Sequence, residues 1–236
     1  MAANQWYQPN RKLGRATPRK EFVHAANTNR TRRGIGWLMS LMTGTTHPYH
    51  SNLEYWWMRH LDMCPLLTTF KAQPKSFTGE GLPIHYTPDT GATTIAGNEV
   101  FFEVKPVEFV REQKFACKWP FMVQAVEEAG ASLILITDDY LLQEPRYSTI
   151  RRLQARRSVI PDETIAYLID RAFLDADAIL LGDLIKVWRD PIAAEHTIES
   201  LILRRHLTVD LKKPLDEAAL ISQAVTQYPT TFPLAA

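Results

Sequence analysis

Four side chains have the types and spacing to act together: Glu54, Asp89, Glu103 and Lys105. Asp89 follows Pro88, and fourteen positions later comes Glu103-Val104-Lys105. On a strand, the period of two puts Glu103 and Lys105 on one face and turns Val104 into the core. If Asp89 ends a neighbouring strand, two carboxylates and one ammonium share a small volume. That set suits phosphodiester hydrolysis. Carboxylate oxygens are hard ligands for Mg²⁺, or Mn²⁺ in its place. Such a metal lowers the pKa of a bound water and stabilises the attacking and leaving oxygens. A lysine beside it orients the water or balances charge. Without a cation the carboxylates would repel one another.

Glu54 is the fourth candidate, a ligand that would close the metal site from the first helix of the core. Ser51-Asn52-Leu53-Glu54 also reads as a capping box, with Glu54 reaching back to the Ser51 N–H. On the residues alone, the cap explains Glu54 better than the metal does. The other three have plainer readings too: an exposed polar strand face for Glu103 and Lys105, and a turn for Asp89. Their surroundings favour the chemical reading, because turn-separated strands, a phenylalanine-rich strand, a helix and an apolar strand follow in order. His47, His50, His85 and Asp138 are set aside as structural or exposed. Trp56 and Trp57 are expected in the core.

The elements that must position these residues are legible from periodicity and punctuation. A helix is expected from Ser51, stopped by Pro65. Strands are expected over 66–71, 82–89 and 93–95, with a Gly-containing turn at 90–91 and another at Gly97-Asn98. A central strand over 99–107 ends at Pro106. A helix over 108–129, broken at Pro120, closes at Gly130. Leu133–Ile136 reads as a strand buried on both faces, and a helix from about Tyr147 carries an arginine cluster. Beyond Pro161, helical segments are expected at 162–174, 176–188 and 192–205, then a strand-like piece over 207–211 and a Lys212-Lys213-Pro214 turn. The elements read as an α/β fold, a sheet flanked by helices, and the order after Pro161, three helices, a strand and a turn, is that of a winged helix and equally of many small helical bundles. The parts of the chain are a basic N-terminal arm (1–45), in which Trp37–Met42 packs on the body, a catalytic domain (46–160) and the C-terminal domain (161–236).

In this order the motifs resemble the TnsA family, endonuclease subunits of heteromeric transposases within the PD-(D/E)xK superfamily. The resemblance runs through Ser51–Glu54, Gln73-Pro74, Tyr86-Thr87-Pro88-Asp89, Phe102-Glu103-Val104-Lys105-Pro106 and Ile134–Asp138, and covers roughly residues 50–210. It implies a restriction-endonuclease-like mixed sheet flanked by helices, followed by a small winged-helix-like C-terminal domain. It implies that Glu54 is catalytic, with Glu54, Asp89 and Glu103 as metal ligands. It implies cleavage of the 5′ strands at transposon ends during excision. The implied partners are double-stranded DNA, a TnsB-type transposase that cuts and joins the 3′ ends, and a TnsC-type AAA+ regulator contacting the C-terminal domain. The alternatives are a restriction- or repair-type nuclease of the same superfamily acting alone, and a non-catalytic DNA-binding adaptor.

Composition is permissive. The 236 residues are 45% hydrophobic and carry a net charge of +1, with two cysteines, Cys64 and Cys117, at no metal-like spacing. A reducing, bacterial cytoplasmic setting is expected, with no structural zinc, secretory signal or membrane span. The charge is unevenly spread. Arg11, Lys12, Arg15, Arg19, Lys20, Arg30, Arg32 and Arg33 face one acid, Glu21, and Arg146, Arg151, Arg152, Arg156 and Arg157 follow later without one. Both clusters are candidates for phosphate contact, above all Arg11, Lys12, Arg15, Arg30, Arg32, Arg33, Arg151 and Arg152.

Overall fold

The computed structural model describes residues 34–79 and 85–224. The basic cluster from Arg11 to Arg33 lies outside these residues.

The stretch after it is a hairpin rather than part of an arm. Strands β1 (Gly36–Met39) and β2 (Thr46–Tyr49) pair antiparallel, and Leu38 enters the core as expected of this apolar piece. The hairpin loop is held by one buried carboxylate. Asp62 accepts from Ser40 Oγ (2.6 Å), Leu41 N (3.1 Å) and Met42 N (2.9 Å).

Helix α1 (Asn52–Asp62) starts at Ser51 as expected, and it ends at Met63, before Pro65 is reached. Its buried side packs Trp57, Met58 and Leu61 on a four-stranded sheet. That sheet has the order β3 (Leu67–Ala72), β4 (Thr90–Thr94), β5 (Glu99–Val104), β6 (Ser132–Ile136). The first three strands are antiparallel and β6 runs parallel to β5, so the sheet is mixed. Sheet and helices together are compatible with a restriction-endonuclease-like core. Period-two alternation divides β5. Val100, Phe102 and Val104 face α1, and Phe101 faces the opposite layer.

That layer is built by α3 (Gln113–Glu127), which follows the single turn α2 (Val107–Val110). The break in the expected 108–129 helix lies at Arg111-Glu112. Pro120 sits inside α3 on its exposed side, while Phe115, Met122 and Val126 anchor the opposite side. Gly130 (φ 77°) ends the segment as expected.

Three other expectations change. The expected 82–89 strand is described only from residue 85, and there it is a single bridge, Phe77 with Tyr86. The strand proper begins at Thr90 and takes in Thr93 and Thr94 of the expected 93–95 piece. Gly91 is thus inside β4 rather than in a turn. A Cβ there would lie 2.7 Å from both Phe101 and Pro74. Finally, β6 is the sheet edge, with Leu133 and Ile136 buried and Ile134 and Leu135 only partly so.

The short α4 (Asp138–Leu141) and α5 (Arg146–Gln154) lead into the C-terminal part. Ile150 and Leu153 of α5 join the C-terminal hydrophobic cluster, so that core begins before Pro161. It contains α6 (Glu163–Ala172), β7 (Ala178–Leu180), α7 (Leu181–Ile185), α8 (Pro191–Leu203), β8 (Leu207–Val209) and β9 (Leu220–Gln223). The expected 176–188 helix is split by β7, which pairs with β9 to give the sheet order β7-β9-β8. Asp162 and Asp190 cap α6 and α8 through their side chains. Among the described residues no helix is long and apolar enough to cross a membrane.

Candidate active site

Asp89 and Glu103 meet because of register. Thr90 pairs with Phe102 across β4 and β5, so the next positions outward are Asp89 and Glu103. Asp89 stands at the entrance of β4 rather than at the end of an earlier strand, and the juxtaposition is the same. Its side chain takes over where the ladder stops. Oδ2 accepts from the Val104 N–H at 2.8 Å and from Lys105 Nζ at 2.9 Å. Its carbonyl accepts from the Gln73 N–H at 3.0 Å. On the α1 side, the indole N–H of Trp57 donates to Thr90 Oγ1 at 3.0 Å and fixes the neighbouring residue.

Glu103 and Lys105 share a face, as the period of two requires. Lys105 Nζ lies 2.6 Å from Glu103 Oε1, so one ammonium bridges both carboxylates. Glu103 is buried, at 5% exposure, which rules out a solvent-facing strand role for it. The Tyr86 hydroxyl donates to its Oε2 at 2.8 Å. Tyr86 was visible in the sequence only as a neighbour of Asp89. Its partnership follows from the Phe77–Tyr86 bridge, which lays the ring beside β5.

Glu54 takes the cap role expected of Ser51–Glu54. Its N–H donates to Ser51 Oγ at 3.1 Å, and that hydroxyl returns a bond to Glu54 Oε1 at 3.0 Å. The backbone N–H that Glu54 holds is that of His50, at 2.8 Å from Oε2, and not that of Ser51. The capping box is therefore displaced by one residue. It draws His50, which sequence reasoning set aside, into the surroundings of the site.

The electrostatics bind the four groups together. Burial first, and then the charge of Asp89, push the Glu54 carboxyl up to about 7. The same two causes, in the same order, push Glu103 up to about 7, against the pull of Lys105 and Tyr86. Burial disfavours the Lys105 ammonium, yet Asp89 and Glu103 outweigh it and hold its pKa above the usual lysine value. Two carboxyl groups thus contact one cation and a third, Glu54, lies within its electrostatic reach, so with all ionised two negative charges remain unbalanced. A divalent ion would balance that excess, and carboxylate oxygen is its preferred donor. As the side chains lie, no three acidic, histidine or cysteine groups among the described residues converge into a ligand set. Asp89 and Glu103 are joined through Lys105, and Glu54 is engaged by its cap.

The two basic clusters fare differently. Arg11, Lys12, Arg15, Arg30, Arg32 and Arg33 lie outside the described residues. Arg151 is exposed, its guanidinium 5.5 Å from the Tyr147 ring. Arg152 is committed within the chain, bonding Glu195, Glu199 and the Leu215 carbonyl. Arg156 also bonds Glu199, and Arg157 reaches Asp62 at 2.7 Å. Apart from Arg151, the distal part of this cluster ties α5 to α8 and to the α1 end. Compared with models of known protein families and with curated proteins, the chain matches none.

Proposed function

We propose that the chain is a metal-dependent DNA endonuclease whose site is Glu54, Asp89, Glu103 and Lys105. The observation that carries this reading is the ammonium of Lys105 held between Asp89 and Glu103, with Glu54 close enough for Asp89 to raise its pKa. Glu54, Asp89 and Glu103 would hold Mg²⁺ or Mn²⁺. The metal, when bound, supplies an activated water and neutralises charge on the phosphate. The remaining work falls to the chain. Lys105 stays protonated and serves as a fixed positive charge for the developing phosphorane, not as a base. The Val104 N–H orients Asp89, the Tyr86 hydroxyl orients Glu103, and the His50 N–H orients Glu54.

The finer reading is a TnsA-type subunit that cuts the 5′ strands at transposon ends with a TnsB-type transposase and a TnsC-type regulator. The motif order supports it. The C-terminal succession helix, strand, helix, helix, strand, strand with sheet order β7-β9-β8 is compatible with the winged-helix-like domain this reading calls for. The test is cleavage of end-labelled duplex DNA in Mg²⁺ or Mn²⁺, with and without the partner transposase. Asp89→Ala and Lys105→Ala should each abolish cleavage while far-UV dichroism stays native. Full cleavage by Asp89→Ala sinks the assignment. Site-specific cutting by the isolated chain favours a restriction- or repair-type enzyme instead.

A further inference from the structure

One residue joins the two halves of the site without belonging to the catalytic set. Gln73 follows β3 with φ 45°, in the left-handed region that a residue with a Cβ rarely adopts. Its N–H donates to the Asp89 carbonyl at 3.0 Å. Its amide nitrogen lies 3.0 Å from His50 Nδ1, and the His50 N–H holds Glu54 Oε2 at 2.8 Å. A continuous chain of contacts therefore runs from the Asp89 main chain through Gln73 and His50 to the Glu54 carboxylate.

The other end of the amide, Oε1, is buried with no hydrogen-bond partner among the described residues. Turning the amide over does not remove the deficit, because an NH₂ would then occupy that buried position. An unpaired buried polar atom on a strained backbone is costly twice over. Packing alone does not account for it, since an apolar side chain would avoid the unpaired atom.

We infer that Gln73 is a positioning residue, which sets the Glu54-bearing loop against the Asp89 strand so that the two carboxylates address one cation. The inference rests on the metal-dependent reading above. It differs from that reading in placing part of the site's metal affinity in a side chain that is not itself a ligand. Polar groups behind metal ligands typically contribute about 10–100-fold in affinity or activity.

The experiment uses the full chain and two variants. Gln73→Met keeps side-chain volume without polar atoms, and Gln73→Gly relieves the left-handed backbone, so it folds even if the first does not. Two readouts are taken: Mn²⁺ affinity by calorimetry, and the His50 amide proton by NMR, which a merely structural role for Gln73 would leave unmoved. Both variants should bind Mn²⁺ about 10–100-fold more weakly than wild type. In both, the His50 amide should shift upfield and exchange faster as its bond to Glu54 loosens. Variants that match wild type in affinity and in the His50 signal overturn the role of Gln73 alone. Loss in Gln73→Met with wild-type behaviour in Gln73→Gly assigns the effect to the backbone and also overturns it. A wild-type chain that binds no Mn²⁺ overturns the nuclease reading and this inference together.

Discussion

The raised carboxyls make stability depend on pH in an unusual direction. Glu54 and Glu103 have pKa values of about 7 in the folded chain, against 4.5 ordinarily. The folded state therefore holds more protons than the unfolded state between those limits, and stability must fall as pH rises through that window. At about 1.4 kcal/mol per pKa unit, each carboxyl accounts for roughly 3 kcal/mol, lost between about pH 4.5 and 7. The two share Asp89 as a cause, so their joint effect is less than twice that figure. The assay is urea denaturation of metal-free protein at pH 5.5 and pH 8. Wild type should be less stable at pH 8, by a few kcal/mol after allowance for other carboxyls. Glu54→Gln and Glu103→Gln should each flatten the slope, and adding Mn²⁺ at pH 8 should restore much of the loss. Glutamine variants with the wild-type slope would refute the claim that these carboxyls are buried beside Asp89.

Three further outcomes follow from individual contacts. Glu199→Gln leaves Arg152 and Arg156 partly unpaired against a fully buried side chain, and should cost about 3–5 kcal/mol in denaturant unfolding. Gly91→Ala drives a methyl against Phe101 and Pro74 and should cost about 1–3 kcal/mol in the same measurement. Tyr86→Phe removes the donor to Glu103 Oε2. It should lower the cleavage rate by about 10–100-fold, the equivalent of one hydrogen bond to a charged group, with the melting temperature little changed.

Local signals carried much of the fold. Ser51 starts α1, Gly130 closes α3, and β5 is the internal strand expected, buried from Val100 to Val104. The Glu103–Lys105 pairing follows from period two, and the structure shows it as an ion pair. Errors arose where a decision depended on residues far away in sequence. Gly91 looked like a turn because its neighbours Phe101 and Pro74, which demand a missing side chain, are invisible locally. Arg152 and Arg156 looked like phosphate ligands because no acid adjoins them, while their partners Glu195 and Glu199 arrive on α8 from some forty residues away. Residues 176–188 are split because β9, the partner of β7, comes much later in the chain. Glu54 resisted a single local reading because its cap partner adjoins it in sequence and Asp89 does not. The cap is real, and the same carboxylate also feels Asp89.

Glu54, Asp89 and Glu103 are proposed to form one divalent-cation site. Titration calorimetry with Mn²⁺ at pH 8 tests it most directly, comparing the full wild-type chain with the Asp89→Ala, Glu103→Ala double variant. Wild type should bind saturably and the variant not at all, with its circular dichroism native. No binding by wild type, or equal binding by both proteins, would contradict it.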